Sequence, residues 1–284
     1  MRRLLLPLLA ALTLLWPAAA SADERVLHFL SEVSVRADGT LDVTETIRVR
    51  SEGDRIRRGI YREFPTRYTN RTGSEVRVGF EVVSVRRDGA GEPWHIEARG
   101  NFIRIYIGDG GTGLPSGEHV YVIRYRTTRQ VDFFKEHDEL NWEVTGTGWE
   151  FPIDVAEARI RLPQAVPFKR RGFHTGPMGS SARNARILSE APGEIFFRTT
   201  AGLGPDQGLS VSVAWRKGVV TLPIPVSAAD LRLQHDGLEG GYGRHRRGAD
   251  SVFQRIAPHR ARAEARPHYR LIQAAPGVAF GRAR

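Results

Sequence analysis

The sequence predicts an all-β protein, an antiparallel β-sandwich, and three observations lead there. Between residues 26 and 216 apolar side chains recur with a period of two. Gly, Pro and Asp-Gly pairs break these runs repeatedly, as turns do. No stretch carries the apolar stripe of an amphipathic helix, so about a dozen short strands remain, the pattern of sandwiches. The 284 residues, 40% hydrophobic and 26% charged, suffice for one large domain or two small ones.

The elements follow in order. Residues 33–36 and 41–50 form a hairpin across the turn Ala37-Asp38-Gly39-Thr40, with Leu41, Val43, Ile47 and Val49 on one face. The alternation resumes over 76–87 and stops at Asp88-Gly89. Residues 102–107 place Ile103, Ile105 and Ile107 inward, and 108–117 read as a glycine-rich flexible hairpin loop. Residues 119–128 set Tyr121, Ile123 and Tyr125 on one face. Further strands fit 139–145, 155–162, 186–188, 194–199 and 209–215. Trp149-Glu150-Phe151-Pro152 marks a seam, giving β subdomains 23–150 and 151–222 or one continuous sandwich over 23–222.

The ends differ from the body. Met1-Arg2-Arg3 precedes an apolar run from Leu4 to Trp16, then Pro17 and the small-x-small pattern Ala20-Ser21-Ala22. That run is shorter than the ~20 residues a membrane span needs, so residues 1–22 are expected to be a signal peptide cleaved between Ala22 and Asp23. The expected location is extracytoplasmic, periplasmic or at the cell surface. No later stretch is long and apolar enough to span a bilayer. Residues 223–284 lose the periodicity and read as a disordered basic tail or a shifted reading frame, since three Lys against 39 Arg imply GC-rich coding.

Charge and composition exclude several functions. The net charge of +10 lies mostly in the ends, +2 in 1–22 and +6 in 223–284, leaving +2 on 23–222. Nucleic acid is therefore not an expected partner. The absence of Cys removes disulfides, thiolate metal sites and cysteine nucleophiles. The loop Gly108-Asp109-Gly110-Gly111-Thr112-Gly113 lacks the Gly-Lys-Ser/Thr and the helix of a phosphate cradle. His28, His95, His119, His137 and His174 are scattered singly, so no metal, cofactor or catalytic residue is assigned. Asp138 and Glu139 are the densest acidic spot, but neighbours on a strand face opposite ways.

Glu45 is the most informative residue. Strict alternation places its carboxylate on the apolar face between Val43 and Ile47, where it needs a partner. Arg62, within Gly59-Ile60-Tyr61-Arg62-Glu63-Phe64-Pro65, is the chosen partner, because a guanidinium pairs with a carboxylate through two hydrogen bonds. A structural ion pair is expected.

Three motifs in order, Asp38-Gly39-Thr40-Leu41-x-Val43-x-Glu45, Arg58-Gly59-Ile60-Tyr61-Arg62-x-Phe64-Pro65 and Asp138-Glu139-Leu140-x-Trp142-x-Val144-Thr145-Gly146, resemble a bacterial family of predicted membrane proteins, domain of unknown function 2207. The likeness runs over roughly residues 25–220. It implies a signal peptide, an extracytoplasmic β-rich domain, then membrane helices and a glycine-rich cytoplasmic end. The chain departs from this where a membrane helix should follow Lys217-Gly218. The family brings no catalytic residues; Tyr61, Phe64, Asp138, Glu139 and Trp142 are the motif positions held as interaction candidates. The expected function is binding of an envelope protein or cell-wall component, with a glycan hydrolase using Asp138 or Glu139 as the alternative.

Overall fold

The computed structural model describes residues 23–69 and 75–221, so the expected signal segment 1–22 and the tail 223–284 lie outside the described residues. Those residues form strands joined by turns, without a helix. In chain order these are β1 (Arg25–Val35), β2 (Leu41–Ser51), β3 (Ile60–Pro65), β4 (Arg67–Thr69), β5 (Glu75–Arg77) and β6 (Phe80–Arg87). Then come β7 (Ala90–Gly91), β8 (Trp94–Arg99), β9 (Phe102–Ile107), β10 (Gly117–Thr127), β11 (Val131–Phe133) and β12 (Asp138–Glu143). The last are β13 (Ala156–Arg161), β14 (Arg170–Gly176), β15 (Ala185–Ala191), β16 (Glu194–Thr199) and β17 (Gly208–Trp215).

A long sheet in the order β15-β16-β13-β1-β2-β10-β6-β7 forms one layer. Two smaller sheets, β3-β9-β8 and β11-β12-β17-β14, pack against its apolar face. Phe64 of β3 meets Tyr125 of β10 at 4.8 Å between ring centroids, and Phe173 of β14 meets Phe197 of β16 at 6.3 Å. Trp142 of β12 donates its indole N–H to Ser31 of β1. Alternation builds this layer: Leu41, Val43, Ile47 and Val49 of β2 are buried while Asp42, Thr44, Thr46 and Arg48 face outward. The long sheet draws strands from both sides of Trp149–Pro152, and so does the four-stranded sheet.

The sheet is not wholly antiparallel. β13 pairs with β1 in parallel, Phe29 opposite Ala156. The reason is where the chain arrives. Pro152 O accepts from the Val26 N–H and Asp154 N–H donates to Val26 O, so β13 starts beside the beginning of β1 and runs the same way. The expected strand 76–87 is broken at Val78-Gly79, where Val78 N–H bonds Thr66 O and Gly79 N–H bonds Thr128 Oγ1. Residues 108–117 do not form a hairpin loop. They carry the chain from β9 in the three-stranded sheet to β10 in the long sheet, pinned by Gly108 N–H to Pro93 O and Leu114 N–H to Arg57 O.

The strands share one axis, giving the domain two ends. β1, at eleven residues, spans about 35 Å. At its start lie Glu24, the 52–56 turn, the Asp88-Gly89 turn and the 108–117 loop, because Ser51 pairs with Gly117 and Arg87 with Tyr121. At its other end lie the Ala37–Thr40 turn and the last described residues, where Val219 and Val220 are buried and Thr221 N–H bonds Ala37 O.

Glu24 secures the first end. Its carboxylate, 6% exposed, accepts four backbone N–H bonds, from Glu52, Asp54, Arg55 and Ile56, at 2.7–3.2 Å. Desolvation pushes its pKa up, but the four N–H donors outweigh it and hold the carboxyl below its usual range. A lowered folded-state pKa stabilises above the unfolded value of 4.5 and is lost as pH falls through the folded one. Glu24→Gln should therefore destabilise by about 1–3 kcal/mol at pH 7, with the difference from the parent shrinking in acid. Paired thermal melts at pH 7 and pH 3.5 check this; an equal difference at both would contradict it.

Candidate functional site

The three main sheets meet at one guanidinium. Arg62 of β3 donates Nε to Glu45 Oε2 at 2.7 Å and Nη2 to Glu45 Oε1 at 2.8 Å, bridging to β2 of the long sheet. Its Nη1 donates to Thr145 O at 2.7 Å, just past β12. Tyr125 of β10 donates its hydroxyl to Glu45 Oε1 at 2.9 Å. The guanidinium lies 4.7 Å from the Phe64 ring, 5.1 Å from Phe29 and 5.8 Å from Trp149. Glu45 is 0% and Arg62 4% exposed, so water does not reach the pair. Burial lowers the Arg62 pKa, but the Glu45 charge and hydrogen bonds outweigh it and keep the cation fully protonated. Burial first, then the Glu45 carboxylate, holds the Tyr125 phenol well above its usual range. Every group in the cluster is committed to another, which makes it a structural lock.

The motif residues go to different places. Phe64 is buried between Phe80 and Tyr125, and Trp142 is buried against Ser31. Tyr61 points outward, its hydroxyl on Glu150 at 3.2 Å and its ring beneath the Arg104 guanidinium at 4.3 Å. Burial, then the Glu150 charge, pushes its phenol up to about 12. Asp138 is fully buried and accepts from Lys217 Nζ, leaving its other oxygen without a partner. Glu139 turns to the opposite face, 3.4 Å from His137. Asp138 and Glu139 therefore do not face each other across a cleft, as a glycosidase pair must.

Two features had little sequence signal. Glu143, Ser210 and His174 stand in one row across β12, β17 and β14. The Ser lies between the other two, so the His cannot relay between Ser and carboxylate as in a triad. Glu143 reaches solvent at the sheet surface, yet the protein packed around it desolvates its carboxyl and pushes it up to about 7. Alternation alone marked the row, with three common polar residues. The second feature is a cleft of about 280 Å³ lined by Arg58, Arg87, Glu92, Asp109, Thr112 and Leu114. It opens at the end opposite the Ala37–Thr40 turn, beside the 108–117 loop.

Removing one partner of the lock should strand the other. Glu45→Gln or Arg62→Met should each destabilise by about 3–5 kcal/mol. Glu45→Leu combined with Arg62→Met should recover much of that, since no charge is left buried. Thermal melts of the four proteins measure it, and singles that melt like the parent would show that the pair holds nothing. For Glu143 the sign is reversed. A folded pKa raised from 4.5 to about 7 means stability is fullest below 4.5 and declines as pH rises to 7. Glu143→Gln should match the parent's Tm at pH 4 and exceed it at pH 8; no widening between those values would refute the raised pKa.

Comparison with known proteins sets these features in a family. Residues 25–215 match the family described as predicted membrane protein (DUF2207), N-terminal domain. A protein of Escherichia coli K12 bearing the name uncharacterized protein YciQ is 32% identical over 172 residues, which is 60% of this chain and 27% of that protein. The chain thus spans little more than a quarter of the length of that relative. Among solved structures, leukotriene A4 hydrolase from Saccharomyces cerevisiae is 13% identical with a TM-score of 0.42, covering 68% of this chain and 29% of that one. A putative protease from Parabacteroides distasonis is 13% identical with a TM-score of 0.40, covering 68% and 41%. Likenesses at that level say nothing of chemistry. The three spaced motifs, the all-β domain and the match over most of the described residues agree: the chain belongs to the DUF2207 family of predicted membrane proteins and contains its N-terminal domain.

Proposed function

We propose that residues 25–215 act as an extracytoplasmic recognition domain of a membrane-held protein, binding an envelope protein or cell-wall component and performing no reaction. The observation that carries this is the polarity of the domain. The described residues end at Thr221, beside the Ala37–Thr40 turn, whereas the cleft and the loops around it gather at the other end. In family members that carry a membrane segment after this domain, that segment would hold this end toward a membrane and turn the cleft end away from it. Among the described residues no helix is long and apolar enough to cross a membrane. Nucleic acid is not the expected partner, since several outward arginines of the long sheet are paired, Arg126 with Asp42 and Arg159 and Arg161 with Glu194.

The chain lacks Cys, so a single introduced thiol reports location without background. Ala90→Cys, exposed near the cleft end, should react with a membrane-impermeant maleimide in intact spheroplasts. The mature chain should begin at Asp23. Labelling only after lysis would overturn the extracytoplasmic placement. Incubation with purified cell wall should give binding without release of reducing ends; release that disappears in Glu139→Gln would replace recognition by hydrolysis.

A further inference from the structure

Arg58 and Arg62 lie four residues apart on one segment but have different fates. All three nitrogens of Arg62 are hydrogen-bonded, as described above. Arg58 Nη1 is shut off from water and has no hydrogen-bond partner, and no carboxylate among the described residues pairs with the side chain. Leaving a buried N–H of a charged group unsatisfied is destabilising, because its desolvation is not offset by a hydrogen bond. The rest of the side chain is only half-buried and lines the cleft, so a group that enters meets a guanidinium with no carboxylate on it.

We propose that this cleft binds an oxyanion, a carboxylate or phosphate group of a small ligand, with Arg58 as its principal contact. The nearby acids are already engaged. Glu92 lies 2.9 Å from Arg87 Nε as an ion pair. Asp109 accepts from Gly111 N–H at 3.0 Å and the Thr112 hydroxyl at 2.9 Å, and these bonds hold its carboxyl below the usual range. Arg58 is thus the one lining cation without a counter-charge. Its planar fork suits a two-oxygen group better than an ammonium does.

Size and rigidity limit the ligand. A volume of about 280 Å³ is smaller than a drug-sized ligand pocket and suits an acid group with a few attached atoms. The wall is fixed by a contact only glycine permits. Gly59 and Gly108, at φ 123° and 131°, lie so close that a Cβ on either would come within 1.9–2.0 Å of Ile107 O or Arg58 O. The backbone that presents Arg58 is therefore set before any ligand arrives. Glu92 and Asp109 add negative charge at the rim, which favours a singly charged group over a dianion.

The inference rests on the recognition reading only for the site's place in the cell; the chemistry is tested on purified protein, so the two fail separately. The full chain, ¹⁵N-labelled at pH 7 and constant ionic strength, is titrated with sodium acetate and, separately, sodium phosphate. Saturable shifts confined to the amides of Gly91, Gly113 and Leu114 are expected for at least one ion. Acetate alone indicates a carboxylate ligand, phosphate alone a phosphoester, and both a general oxyanion site. Arg58→Gln should weaken the binding at least tenfold, whereas Arg48→Gln, an exposed arginine on β2, should leave it unchanged. Arg58→Lys keeps the charge without the fork and should weaken it several-fold, which covers the case where the glutamine variant folds poorly. Shifts that never saturate with either ion, or saturable binding that both Arg58 variants retain in full, would overturn the assignment.

Discussion

One desolvated guanidinium holds three sheets in register. Arg62 satisfies Glu45 on the long sheet and Thr145 O beyond β12, while its own strand belongs to the three-stranded sheet. A buried ion pair adds little net stability compared with apolar residues of the same shape, but it tolerates no misplacement. Apolar faces can slide on each other at small cost, whereas a two-pronged hydrogen-bonded pair has one good position. The lock thus does what the surrounding Phe and Ile side chains cannot. It sets how β3 and the Thr145–Trp149 segment sit over β2 and β10.

How much of this was legible depended on whether a residue broke a local pattern. Glu45 could be found because a charge on an apolar face violates the period of two, and Arg62 because it stood in a motif rich in Gly and aromatics. The strands of the long sheet were legible for the same reason, being apolar on one side. β8 escaped because it is an exposed edge with no buried face, and β14 because Gly172 and Gly176 interrupt its alternation. Sheet membership was not legible at all. The loop 108–117 looked like a hairpin because local pattern says nothing about which sheet the next strand joins. Likewise Arg58 looked like any other arginine, since its lack of a partner exists only once Glu92 and Asp109 have found theirs.

The N-terminal end shows the same logic in backbone form. Glu24 folds into a nest of four N–H groups from the 52–56 turn, which leads directly into Arg57 and Arg58. Gly59 and Gly108 then fix the next step of that segment against the 108–117 loop. The N-terminus, the cleft wall and the motif containing Arg62 are thus one continuous rigid path, from which a change at Glu24 would reach Arg58 through a handful of residues.

The outer face of the long sheet argues for where a partner does not bind. Asp42 is shared by Arg36 and Arg126, Glu32 and Glu194 lie between Arg159 and Arg161, and Glu157 is shared by His28 and Arg198. Each exposed pair is worth about 0–1 kcal/mol to stability, so stability does not explain their number. Where these charges interleave the face stays hydrated, and displacing that water would break pairs without offering new ones. A partner gains more where a charge is unpaired and already partly desolvated. Among the described residues Arg58 meets that condition, at the end of the domain opposite the Ala37–Thr40 turn, where it lines the cleft without a carboxylate partner.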